Sequence, residues 1–180
     1  MTSAPDSGPD LVRALKKWHL IHMLAVSELK QRYRRSYLGT LWIAMGMIVW
    51  VFTITFVFNS IFKLPIHDFL PYVAIGIVIW NFFSTSLTEA SNSLFNNQEY
   101  IKSAPLPLSL FVFKALWLNV IVSAQNLIVA GLVLIFLRPV TIGGVAGSVI
   151  GVLAVVINVA WMSILLSVVC TRFRDVPAIV

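Results

Sequence analysis

From Ser36 to Phe62 the chain carries 27 consecutive residues without a charge, directly after Lys30, Arg32, Arg34 and Arg35 and directly before Lys63. An α-helix rises about 1.5 Å per residue and the hydrocarbon core of a bilayer is about 30 Å thick, so about 20 apolar residues are enough to cross. Lysine and arginine gather on the cytoplasmic flank of membrane helices. The run is therefore predicted to cross as a helix that starts inside and runs outward, and it sets the direction of everything after it.

Three more runs follow the first. Phe69 to Thr88 is free of charge, Ala115 to Leu137 is free again, and a fourth run covers about 145–170. The expectation is an all-α polytopic bundle with spans over about 38–62, 69–88, 110–137 and 145–170. KLPIHD and RPVTIGG then form outer turns, and 89–108 forms the longest inner loop. Pro71 fits the first turn of the second helix, where its missing N–H costs nothing. This topology puts eleven cations inside (Arg13, Lys16, Lys17, Lys30, Arg32, Arg34, Arg35, Lys102, Lys114, Arg172 and Arg174) against Lys63 and Arg138 outside. That is the sense the positive-inside rule requires.

Composition agrees. The chain is 59% hydrophobic and 11% charged with a mean hydropathy of +0.91, outside the balance of a soluble domain. Its 180 residues leave room for one membrane domain and no ordinary soluble catalytic domain. The net charge of +6 lies beside apolar runs, which favours anionic headgroups or an acidic partner over nucleic acid. Cys170 is the single cysteine, so no internal disulfide can form. Residues 1–9 read as a disordered tail without the apolar core of a cleavable signal peptide.

Residues 10–34 read as an amphipathic interface helix with Asp10 as N-cap. Leu11, Leu15, Trp18, His22, Ala25 and Leu29 fall on one stripe, opposite Arg13, Lys16 and Lys17. Leu20, Met23 and Leu24 interrupt the polar side, so the second half should be the more covered. In the inner loop, Leu94, Tyr100 and Ile101 suit a short helix that Pro105 and Pro107 end.

The predicted spans hold no Asp or Glu, and His19, His22 and His67 lie outside them. No CxxC, HExxH or GxSxG occurs. Intramembrane catalysis, metal binding and proton-coupled transport therefore lack their residues. No Walker A sequence occurs either, so any ATP that powers this chain is hydrolysed by another polypeptide. The spans instead carry aromatics and a few amides: Trp42, Trp50, Phe52, Phe56 and Phe58, then Tyr72, Trp80, Phe82 and Phe83, then Trp117, Asn119, Gln125 and Asn126, then Asn158 and Trp161. Weak aromatic contacts can let a sugar chain slide; equally, Trp and Tyr belong to interfacial belts and Phe to the lipid face. Gly143, Gly144, Gly147 and Gly151 suit either close helix approach or a flexible turn.

RYRRSYLGTLW (32–42), FLPYVAIGIVIWNFF (69–83), EYIKSAPLPLSLF (99–111) and CTRFRDVPAIV (170–180) together resemble the membrane subunit of type-two ABC exporters of polysaccharides, the family that moves O-antigen, capsule or teichoic-acid chains. The resemblance covers nearly all of residues 10–180. It implies a homodimeric pore in the bacterial cytoplasmic (inner) membrane, its N-terminus cytoplasmic, joined to two ATPase subunits that bind ATP and magnesium. It also implies a coupling helix over about Ser91–Lys102 in which Asn97, Glu99, Tyr100 and Lys102 meet the ATPase. A cytoplasmic gate or interface would use Arg32, Tyr33, Arg34, Arg35, Arg172, Arg174 and Asp175. A channel for a lipid-linked glycan would be lined from Trp42, Trp50, Phe56, Trp80, Phe83, Gln125 and Asn126. The family has six spans, so two more are expected after RFRD. Plainer readings stand beside these: RYRRS as an orientation signal, Arg172, Arg174 and Asp175 as a solvated helix end, and Glu99 with Lys102 as a surface pair. The alternatives for the whole are an ABC exporter of a small lipid or drug, and a membrane scaffold that does not transport.

Overall fold

The structure is a computed structural model that describes residues 10–34, Ser36, Gly39, 41–63, 65–103, 106–137 and 142–173. Among the described residues every regular element is an α-helix: α1 (Asp10–Lys16), α2 (Trp18–Arg32), α3 (Leu41–Phe62), α4 (Ile66–Asn96), α5 (Gln98–Ser103), α6 (Ser109–Leu137) and α7 (Ile142–Arg172). Four stretches are long and apolar enough to cross a bilayer: Leu41–Phe62, Phe69–Asn96, Ser109–Leu132 and Ala146–Arg172. The fold is all-α and polytopic. The chain divides into two compact units. One is drawn from residues 10–31, 85–119 and 158–173, the other from the described parts of 32–84 and 120–157.

The first unit packs α1 and α2 onto the ends of α4 and α6. Ala14, Ile21, Ala90, Leu94, Leu110, Phe111 and Val112 form its buried cluster, with Leu20, Leu24, Ile101 and Trp117 against it. The segment expected as one helix over 10–34 is two helices with a tightened turn at Lys17. There the Lys17 N–H donates to Ala14 O at 3.0 Å and the Leu20 N–H to Lys17 O at 2.9 Å, both i to i−3 bonds. The buried face also differs from the expected stripe. Ala25 of that stripe is fully buried, together with Ala14 and Ile21 from outside it, whereas Leu11, Leu15 and Trp18 are exposed. Both sides of this segment carry apolar residues, so spacing alone does not choose between them. Small Ala14 and Ala25 and branched Ile21 are the fully buried side chains, Leu20 and Leu24 pack partly buried beside them, and Leu11, Leu15, Trp18 and Met23 are left outward.

α4 does not stop at Thr88. It continues through Glu89 to Asn96, into the stretch expected as loop. The polar residues there make their bonds along the helix: Ser91 Oγ donates to Thr88 O at 2.7 Å and Ser93 Oγ to Ala90 O at 2.8 Å. With their hydroxyls satisfied locally, Ala90, Ser91, Ser93 and Leu94 are all buried. α4 also starts earlier than expected, at Ile66, so Pro71 lies one turn inside the helix rather than in its first turn.

The second unit holds α3, the first part of α4, the second part of α6 and the first part of α7. Met47 and Val51 of α3 meet Leu70, Ala74 and Val78 of α4 and Ala130 of α6. Between lipid-facing helices, association rests on dispersion and close approach, which the alanines permit. Hydroxyls within the apolar helices turn back onto their own backbone, as Thr53 does to Val49 O and Ser60 to Phe56 O. α3 ends in a left-handed cap: Lys63 has φ 51° and its N–H donates to Asn59 O at 2.8 Å. Gly39 (φ 55°) takes the same conformation before α3, where it carries no Cβ penalty. Gly143, Gly147 and Gly151 have nothing within 4 Å of the place a Cβ would occupy.

Candidate functional site

The polar side chains of the first unit converge on the first half of α6. At its start, the Ser109 N–H donates to an Asp10 carboxylate oxygen at 3.0 Å, and Ser109 Oγ donates to the same oxygen at 2.7 Å. Asp10, expected to cap its own helix, thus satisfies an orphan donor of another, where the helix dipole also favours its charge. One turn in, Lys114 Nζ lies 2.8 Å from a Glu28 carboxylate oxygen and donates to Asn97 Oδ1 at 3.0 Å. Trp117 Nε1 donates to His22 Nδ1 at 2.9 Å, and its ring meets Trp18 edge-on at 4.6 Å between centroids. That bond assigns the neutral His22 proton to Nε2. Finally, Asn119 Nδ2 donates to a Glu89 carboxylate oxygen at 3.0 Å. Glu89 lies on α4 directly after the charge-free run that ends at Thr88, within the long helix Phe69–Asn96. A partnered acid costs far less there than a lone one.

Beside this network a groove of about 730 Å³ opens between α1, the end of α4, α5, the start of α6 and the end of α7. Leu11, Leu94, Phe95, Ile101, Leu108 and Val168 give it an apolar lining, with Gln98, Ser109 and Thr171 as polar points. Cys170, a buried free thiol, lines it as well. In the second unit a smaller cavity of about 100 Å³ is bounded by Val78, Ile79, Phe82, Val120, Leu127 and Val152.

Of the residues expected to meet an ATPase, Glu99, Tyr100 and Lys102 are exposed on α5. Asn97 is buried: its Nδ2 donates to Ser93 O at 2.6 Å while its Oδ1 accepts from Lys114. Among the expected gate residues, Arg32, Arg34 and Arg172 are exposed and Tyr33 is half-buried; Arg35, Arg174 and Asp175 lie outside the described residues, as does the tail 1–9. Trp42, Trp50, Phe56 and Trp80 face outward from the chain, and Phe83 and Gln125 are half-buried. Asn126 is 5% exposed, and its Oδ1 has no hydrogen-bond partner. The sequence reading passed over Glu28, Glu89 and Ser109 and used Lys114 only for orientation. A lone cation one turn into an apolar helix was the available signal for Lys114, because such a charge must find a partner.

Four helices long and apolar enough to cross a bilayer define a multi-pass membrane protein. No family model matches the chain. It is similar to curated proteins named "O-antigen export system permease protein RfbA". One from Klebsiella pneumoniae is 25% identical over 167 residues, covering 89% of this chain and 62% of the relative. One from Myxococcus xanthus is 28% identical over 98 residues, or 54% of this chain and 38% of the relative. A second from Klebsiella pneumoniae is 27% identical over 90 residues, or 50% and 35%. The chain is a distant relative of the type-two ABC export permeases. It spans between about a third and two thirds of the length of the curated relatives it matches.

Proposed function

We propose that this chain is, or forms part of, the permease subunit of an ABC exporter that moves a lipid-linked polysaccharide of the O-antigen type across the cytoplasmic membrane. The observation that carries the reading is the 167-residue similarity to an O-antigen export permease, which covers 89% of this chain. Energy comes from a separate ATPase subunit holding ATP and magnesium. The permease pairs with a second copy, and its N-terminus faces the cytoplasm.

In this reading α5 presents Glu99, Tyr100 and Lys102 to the ATPase, and their exposure suits that role. Asn97 acts from behind as a support. Arg32, Tyr33, Arg34 and Arg172 act at the cytoplasmic gate, together with Arg35, Arg174 and Asp175. Trp42, Trp50, Phe56, Trp80, Phe83, Gln125 and Asn126 line the glycan path in the assembled transporter.

The test is co-expression of the full-length protein with an ATPase subunit encoded beside it, followed by reconstitution into proteoliposomes. Co-purification of the two and ATP-dependent transfer of lipid-linked glycan are the expected results. Loss of co-purification on Glu99→Arg or Tyr100→Ala would support the placement of α5. Stimulation of ATP hydrolysis by amphipathic drugs and not by glycan would overturn the substrate assignment.

A further inference from the structure

Lys114 is a cation with 12% of its side chain exposed, one turn inside an apolar helix, and it holds two acceptors at once. Glu28 belongs to α2, the interface helix. Asn97 is the single residue between α4 and α5, and every part of it beyond its own N–H is in use: Nδ2 to Ser93 O at 2.6 Å, Oδ1 from Lys114, and its backbone O accepting from the Ile101 N–H at 3.0 Å. The elbow from α4 into α5 is therefore shaped by Asn97, and Asn97 is tied to the interface helix through one ammonium group.

An ammonium so little exposed to water cannot give up either acceptor cheaply. Moving α5 away from α6 would strand Asn97, and moving α2 away would take the Glu28 countercharge from Lys114 and leave it only the neutral Asn97 oxygen. The two elements thus have one low-energy arrangement relative to α6. A displacement of either favours displacement of both.

We infer that Lys114 is a positioning residue that latches the interface helix and the α4–α5 elbow into one moving part, so that a push on α5 is delivered to α2. The inference rests on the transport reading for its purpose, but the latch itself is a property of this chain.

Hydrogen exchange on the full-length permease in lipid nanodiscs tests the latch without any ATPase. Glu28→Gln is expected to speed exchange not only in α2 but also across Gln98–Ser103, by about fivefold or more, because the elbow loses its anchor. Asn97→Ala should speed exchange in α2 in the same reciprocal way. Lys114→Arg should keep both segments slow, and Lys114→Met should loosen both. Effects confined to the mutated element would overturn the inference, and the two single-partner variants decide it even if Lys114→Met fails to fold. With the ATPase bound, Lys114→Met and Glu28→Gln should retain ATP hydrolysis while glycan transport per ATP falls about tenfold, as expected when binding energy no longer reaches the moving part. An unchanged ratio would overturn the coupling role. Failure to recover any ATPase would count against the proposed function and leave the exchange result standing.

Discussion

Asp10 and Ser109 are 99 positions apart, and one carboxylate oxygen of Asp10 accepts both the backbone N–H and the hydroxyl of Ser109. The first residue of the interface segment thereby caps the third membrane-crossing helix. Sequence order would not bring them together; the packing of Ala14 and Ile21 against Leu110 and Phe111 does.

Removing that cap should loosen two helices at once. Asp10→Ala is expected to cost about 1–2 kcal/mol, the range for lost N-caps and charge-assisted bonds. Thermal unfolding of the detergent-solubilised protein would show the lowered midpoint, and limited proteolysis would show earlier cleavage within α1. Ser109→Ala on top of Asp10→Ala should add little, since the two share one interaction.

The left-handed cap at Lys63 offers a stabilising change. A non-glycine residue in that region bears a penalty of about 1–2 kcal/mol, so Lys63→Gly should gain about 1 kcal/mol after its greater unfolded-state freedom is subtracted. The reverse experiment is Gly39→Ala, expected to lose about 1 kcal/mol because Gly39 sits at φ 55°. Melting curves on both variants give the signs directly.

Trp117 separates ring packing from hydrogen bonding. Trp117→Phe keeps an aromatic against Trp18 but removes the donor to His22, with an expected cost of about 1 kcal/mol. Trp117→Ala removes both and should cost about 3 kcal/mol or more. A double-mutant cycle with His22→Ala should show a coupling of about 1 kcal/mol for the bond itself.

Topology can be read with single cysteines, because Cys170 is the only native thiol and it is buried. In a Cys170→Ser background, Lys63→Cys should react with a membrane-impermeant maleimide in intact cells. Lys102→Cys should react only after permeabilisation. The opposite pattern would reverse the orientation derived from the positive-inside rule.

The existence and rough position of the four crossing helices were legible in the sequence because charge-free runs of sufficient length have few other fates. Helix ends were not. α4 outruns its apolar stretch because serine hydroxyls turn back on the helix and Asn119 receives Glu89, and neither event leaves a periodic trace. The buried face of the interface segment was placed only in part, at Ala25, for a related reason. Leucine and tryptophan weigh more than alanine in any hydrophobicity count, yet close packing prefers the smaller side chain. Of the candidate site, the short helix α5 was legible from Tyr100, Ile101 and the prolines after it, although Leu94, expected with them, belongs to α4. The bonds of Lys114, Asp10 and Trp117 were not, since each joins residues about 17 to 99 positions apart, beyond the reach of local pattern.

The outward-facing tryptophans make the protein its own depth gauge. Trp42, Trp50, Trp80 and Trp161 all present their indoles to the surroundings from three different helices, while Trp18 and Trp117 meet edge-on. Trp42 and Trp50 are eight residues apart on α3, which places them about 12 Å apart along the helix axis. Lipids brominated at chosen acyl carbons would therefore quench them in different order, and the emission of the unmodified chain would report how far each helix is sunk in the bilayer.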